Sequence, residues 1–122
     1  MSYDLRLAVR VHGAEHLYAV IDQPEVRGPT YNLGEMFRAC TGWDFEQSKF
    51  YNAAEVLPKI QHGINELTIN RKEYIKYNDP NGWGTVDGAL SALKSLEECI
   101  KENVSGDWTW NRIPLECLYV AW

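Results

Sequence analysis

The chain has 122 residues, 17 acidic against 12 basic side chains, a formal charge of −5 and a hydrophobic share of 45%. That length supports one domain, residues 1–122, with a core of its own, and that hydrophobic share excludes a disordered chain. The acidic balance excludes a general phosphate-backbone binder, whose footprint is basic, so no general nucleic-acid binding is expected.

Residues 3–11 alternate: Tyr3, Leu5, Leu7, Val9 and Val11 face one way, and Asp4, Arg6, Ala8 and Arg10 the other. That period of two predicts a half-buried strand. His12-Gly13-Ala14-Glu15-His16 predicts a turn, and residues 17–21 supply the hairpin partner. Asp22-Gln23-Pro24 ends the pairing, because Pro24 has no amide to give a ladder. Residues 27–31 read as a loop. Asn32-Leu33-Gly34-Glu35 then has capping-box spacing for a short helix with Met36 and Phe37 inward.

Residues 40–51 read as a second loop, carrying Trp43, Phe45, Phe50 and Tyr51. Asn52-Ala53-Ala54-Glu55 repeats the capping spacing and opens a longer helix, whose apolar stripe is Ala53, Leu57, Ile60, Ile64 and Leu67. Pro58 conflicts with a cap at Asn52, so either the helix starts later or its first turn is distorted. Asn70-Arg71-Lys72-Glu73 offers a cap for one more short turn before Tyr74 and Tyr77.

Asn78-Asp79-Pro80-Asn81-Gly82-Trp83-Gly84-Thr85 is a loop by composition. It ends on Thr85, a good N-cap, so its last amides and those of the next helix are expected to converge on one spot. The following pattern is the strongest in the chain. Val86, Ala89, Leu90, Leu93, Leu96, Ile100 and Val104 form one helical face opposite Lys94, Glu97, Glu98 and Lys101, and Ser105-Gly106 stops it. Trp108-Thr109-Trp110 reads as a short strand or edge, and residues 115–122 as a strand. The architecture expected is α+β: a small antiparallel sheet of N-terminal hairpin plus C-terminal strand, with helices packed on one face.

Cys40, Cys99 and Cys117 are an odd set at wide spacing and read as reduced core residues. The opening Met-Ser-Tyr-Asp-Leu-Arg has no basic-then-apolar leader, and no run approaches a membrane span. Cytoplasm is the expected location, with no membrane association.

No nucleophile elbow, Walker loop, dinucleotide fingerprint or metal-binding helix motif occurs. His12 and His16 lack a nameable third metal ligand and read as exposed hairpin histidines. His62 lies off the core stripe and is expected to face solvent. Glu97 and Glu98 diverge around a helix and form no acid/base dyad. The sequence therefore predicts no catalytic residue, no metal site and no cofactor, and a protein that is not an enzyme.

Two segments remain: residues 27–32, a loop running into a helix N-terminus, and residues 78–85. Each combines polar side chains, a ring and amides, which suits a phosphate or carbonyl-rich ligand. Tyr31 and Trp83 read either as core plugs or as faces on which a base stacks. The ligand-binding set is Arg27, Thr30, Tyr31, Asn32, Arg38, Asn78, Asn81, Trp83 and Thr85. Tyr31 or Trp83 would stack, and loop amides with Arg27 or Arg38 would take phosphates.

The order Met-Ser-Tyr-Asp, Thr30-Tyr31-Asn32 with Met36-Phe37-Arg38, then Tyr77-Asn78-Asp79-Pro80-Asn81-Gly82-Trp83-Gly84 with Asp87-Gly88-Ala89-Leu90 resembles a group of small uncharacterised phage and prophage proteins. The resemblance spans most of residues 1–104, and the tail with Trp108, Trp110 and Trp122 departs from it. It implies a phage accessory protein opposing host defence, in the host cell cytoplasm. The reading expected from it is a sponge that sequesters a small nucleotide-like immune signal, a cyclic oligonucleotide or an ADP-ribose derivative, as a homo-oligomer. The rival is an anti-defence protein that contacts a host defence protein directly, such as a CRISPR-Cas complex. An enzyme cleaving such a signal stands third.

Overall fold

The computed structural model describes residues 4–10, 18–22, 24, 33–46, 49–78, 84–104 and 118–121. Four strands form one sheet: β1 Asp4–Arg10, β2 Tyr18–Asp22, β3 Lys49–Tyr51 and β4 Leu118–Ala121. Their order is β2-β1-β4-β3, and every pairing is antiparallel. With the helices below, the chain is α+β.

Leu5 and Leu7 are buried, as the alternation predicts. Ala8 is buried too, which the alternation does not predict. It stands outside the cluster that holds Leu5 and Leu7, so its burial does not put it on their face. The register shifts at the same place: Leu7 opposes Asp22 and Ala8 opposes Val20, so β2 carries one extra residue, a bulge, between those pairs. Asp22 belongs to β2, so the pairing runs one residue past its expected end.

Helix α1 spans Gly34–Thr41, with Met36 and Phe37 buried as expected. Its N-cap position is Leu33, with no side-chain cap bond, so the capping box expected of Asn32 and Glu35 is shifted out of register. Asn32 itself lies outside the described residues. Gly42 ends α1 in the left-handed region, at φ 71°, and its amide donates to the Arg38 carbonyl at 2.9 Å. The expected loop after Cys40 is corrected at both ends. Cys40 and Thr41 are still helical, and Lys49–Tyr51 is the edge strand β3.

Helix α2 spans Ala53–Ile69 and starts at the predicted cap: Asn52 Oδ1 accepts from the amides of Ala54 and Glu55 at 3.0 and 3.2 Å. Pro58 sits inside the helix on its exposed side, where its ring faces solvent. The buried stripe is Ala53, Val56, Ile60, Gly63 and Leu67, with Leu57 and Ile64 half-buried on its flank. A short helix α3, Arg71–Tyr74, and a 3₁₀ turn, Ile75–Tyr77, follow. Asn70 does not cap α3 with its side chain, which instead donates to Glu66 Oε2.

Helix α4, Val86–Val104, packs on α2. Its buried residues Val86, Ala89, Leu93, Leu96 and Ile100 join Leu5 and Leu7 of β1, Phe37 of α1 and Ile60 of α2 in one core. Asn103 Nδ2 ties the far end of α4 to the sheet by donating to Asp22 Oδ2 at 2.7 Å. Among the described residues no helix is long and apolar enough to cross a membrane.

Candidate functional site

The described part of the candidate site is the N-terminal turn of α4. Thr85 caps it twice. Its hydroxyl accepts from the Gly88 amide at 3.1 Å and its carbonyl from the Ala89 amide at 2.9 Å. Asn78 reaches the same turn from the other side of the loop, its Oδ1 accepting from the Val86 amide at 3.0 Å. These amides were expected to be open to a ligand. The structure corrects that: Val86 and Gly88 already donate to the protein's own oxygens. A helix start carries orphan donors, and two nearby polar side chains take them before any ligand can.

Around this turn the charges are paired as well. Arg71 Nη2 lies 2.7 Å from Asp87 Oδ1, so the carboxylate in the first turn of α4 is held by a cation from α3. Tyr74 and Tyr77 stack at 6.4 Å with 26° between their planes, and Lys76 lies over the Tyr77 ring at 5.3 Å. Burial, followed by the charges of nearby Glu66 and Cys40, pushes the Tyr74 hydroxyl above its ordinary pKa, so it stays protonated at neutral pH.

Arg38, expected to take a phosphate, is half-buried and engaged inside the molecule. Its Nη2 donates to the Phe45 carbonyl at 3.2 Å, its Nε lies 3.6 Å from Asp44, and its guanidinium rests 4.4 Å from the Phe45 ring centre. Gly42 makes this possible by turning the chain back along α1. Behind it, Trp43 meets Phe45 at 5.3 Å and Tyr51 at 5.2 Å, and the Tyr51 hydroxyl accepts from the Glu46 amide at 2.7 Å. Among the described residues the buried Trp43 indole nitrogen has no hydrogen-bond partner.

Thr41 locks that corner, its hydroxyl donating to the Phe37 carbonyl at 2.5 Å and accepting from the Trp43 amide at 3.0 Å. Burial pushes the Cys40 thiol up to about 12, so it is unreactive as a nucleophile. His62 is exposed, as expected, and its Nε2 lies 3.6 Å from Glu66.

Of the nine predicted site residues, the structure brings Asn78 and Thr85 together on one helix turn and sets Arg38 at the α1–β3 corner. Arg27, Thr30, Tyr31, Asn32, Asn81 and Trp83 lie outside the described residues. Sequence reasoning missed Arg71, Asp87 and the Tyr74–Tyr77 pair. For Arg71 and Tyr74 the signal was present in helical phase, since they and Asn78 follow Leu67 at spacings of three to four, whereas Tyr77 and Asp87 fall outside that series. Comparison with family models, curated proteins and solved structures returns no match.

Proposed function

We propose that this protein is a non-enzymatic phage-type accessory protein that binds and sequesters a small nucleotide-like immune signal, a cyclic oligonucleotide or an ADP-ribose derivative, in the host cytoplasm. One observation carries the reading. The bond from the Val86 amide to Asn78 Oδ1, at 3.0 Å, fastens the two flanks of residues 79–84 at the positive end of a 19-residue helix. A fastened loop presents its side chains with less ordering cost on binding. In this reading Trp83 offers the stacking face and Asn81 the polar contacts, with Tyr31, Thr30, Asn32 and Arg27 completing the pocket. The Arg71–Asp87 pair neutralises the acid that would otherwise repel an anion there.

The layering proposed for the fold, with helices on one face of the sheet, is supported by Leu5 and Leu7 sharing the helical core while Ala8 stands outside it. The rival, direct contact with a host complex, takes its anchors from surface acids and from the aromatic tail, whose Trp108, Trp110 and Trp122 lie outside the described residues.

The test is calorimetry and melting shift against a panel of cyclic oligonucleotides and ADP-ribose derivatives. Trp83→Ala is expected to keep the fold and to lose about 1–3 kcal/mol of affinity, the range for base–aromatic stacking. No binding across the panel overturns the reading. So does a loss of about 3–5 kcal/mol of stability in Trp83→Ala with affinity unchanged, the mark of a core plug.

A further inference from the structure

The segment from Ile69 to Lys76 has two unlike edges. Leu67 is buried and Arg71, Tyr74 and Asn78 are half-buried, so positions at spacings of three to four turn inward. Ile69, Lys72, Ile75 and Lys76 fall between them and are exposed. Ile69 is 69% and Ile75 48% accessible, and among the described residues these are the exposed large hydrophobics. The cation on the inner edge, Arg71, has its carboxylate in Asp87. The lysines on the outer edge stand beside the isoleucines, and the segment carries three cations against one carboxylate in a chain of net −5. Two isoleucines interleaved with two lysines make a ridge with both an apolar and a cationic demand.

A surface of opposite character lies between α2 and α4. It is an open groove of about 510 Å³ lined by Ile64, Lys94, Glu97, Glu98, Lys101 and Glu102. Lys101 turns its ammonium to Glu97 at 3.7 Å. Glu98 and Glu102 are exposed, and Ile64 supplies the apolar lining. Lys94 lines it too, so three carboxylates stand against two lysines around one apolar side chain, a lining of net negative charge against the net positive ridge.

We propose that the ridge Ile69–Lys72–Ile75–Lys76 of one molecule docks in the α2–α4 groove of a second copy, with the isoleucines toward Ile64 and the lysines toward Glu98 and Glu102. The contact is heterologous, ridge to groove, so it closes into a ring or continues as a chain unless a two-fold axis makes it reciprocal. Four ridge side chains are far fewer than the roughly 20–30 residues a side of a standard interface, which makes the association weak and best read at high protein concentration. The inference is independent of the ligand reading, which can fail without touching it. An anionic membrane would answer the ridge's lysines but leave the α2–α4 groove without a role, which makes it the less favoured occupant.

Sedimentation equilibrium of the full chain over a concentration series tests this. The wild type is expected to gain mass with concentration. The ridge variant Ile69→Glu/Ile75→Glu and the groove variant Glu98→Lys/Glu102→Lys are each expected to weaken self-association at least about tenfold. All the substituted positions are exposed, and melting curves check that both variants fold. Mixed one to one, the two variants are expected to form a heterodimer and nothing larger, since one keeps only its groove and the other only its ridge. A monomeric wild type at every concentration overturns the proposal, as does a ridge variant that associates like the wild type or a mixture that forms no heterodimer. Wild-type protein that stays monomeric yet binds phosphatidylserine vesicles through the ridge also overturns it, in favour of a membrane surface.

Discussion

Asn78→Ala removes one oxygen from the molecule, and the cost can be worked from the turn it serves. The Val86 amide donates to Asn78 Oδ1 at 3.0 Å, the bond is partly buried, and Val86 itself is 1% exposed. Truncation leaves a helix-start donor without its partner, a cost of about 1–2 kcal/mol for a lost cap with a partly desolvated amide. For a chain of 122 residues that is a fall in Tm of roughly 3–9 °C, interpolating between the values for smaller and larger domains.

Asn78→Asp preserves the side chain's shape. It keeps an acceptor and brings a negative charge to the positive end of α4, a gain of about 0.3–1 kcal/mol. Asp87 adds a like charge nearby, but Arg71 holds that carboxylate at 2.7 Å. The aspartate variant is therefore expected within about 0.5 kcal/mol of wild type at neutral pH. Its advantage over the alanine variant rests on an ionised group favoured in the folded state. It is present above the ordinary aspartate pKa of about 3.9 and is lost as pH falls below it. Urea unfolding at several pH values measures each difference. An aspartate variant as unstable as the alanine variant at pH 7, or an alanine variant costing under about 0.3 kcal/mol, would refute the clamp.

Thr85→Ala is expected to cost about 1 kcal/mol, and to combine with Asn78→Ala less than additively because both act on one turn, a coupling that a double-mutant cycle measures. At Gly63 an added Cβ would lie 2.6 Å from Thr41 Cγ2, and Thr41 cannot swing away because its hydroxyl is bonded on both sides. Gly63→Ala therefore loses more to overpacking, about 1–3 kcal/mol, than the roughly 1 kcal/mol that helix propensity returns. In a Thr41→Ser background, which keeps the hydroxyl and deletes the clashing methyl, the cost of the same change is expected to shrink but not vanish, since Leu93 Cδ1 at 3.2 Å and Cys40 Sγ at 3.3 Å remain, as calorimetric melts of the four proteins will show.

Because Cys40 is pushed from 9.0 to about 12 when folded, its contribution to stability is complete below pH 9 and is lost as pH rises toward 12. Denaturation series should therefore show a flatter decline above pH 9 in Cys40→Ala than in the wild type.

What the sequence discloses follows from how far apart the interacting parts lie. The two long helices are legible because each repeats one demand over four or five turns, and the Asn52 cap is legible because its donors are two and three residues away. Asn32 and Asn70 carry the same local signature; Asn32 lies outside the described residues, and the structure does not use Asn70 as a side-chain cap. Leu33 holds the first cap position, and Asn70 prefers Glu66 on the preceding turn. A capping residue with two available partners is decided by tertiary geometry rather than by spacing.

Strand β3 escapes for a different reason. Three residues are too few to show a period of two, and its partner, Leu118–Ala121, lies nearly the whole second half of the chain away.

The site divides the same way. Thr85 reads as a cap from its type and its place before an apolar run, whereas the Asn78 bond to Val86 spans eight residues and exists only once α3 has been folded against α4. Arg38 is engaged through contacts that its own neighbourhood in the sequence does not display. An arginine on a short helix beside a polar loop has the look of an anion ligand, but Gly42 turns the chain so that Asp44 and the Phe45 carbonyl reach the guanidinium first. A charged side chain is read correctly from sequence only when the turn that delivers its counter-charge is read as well, and here the left-handed glycine was that turn.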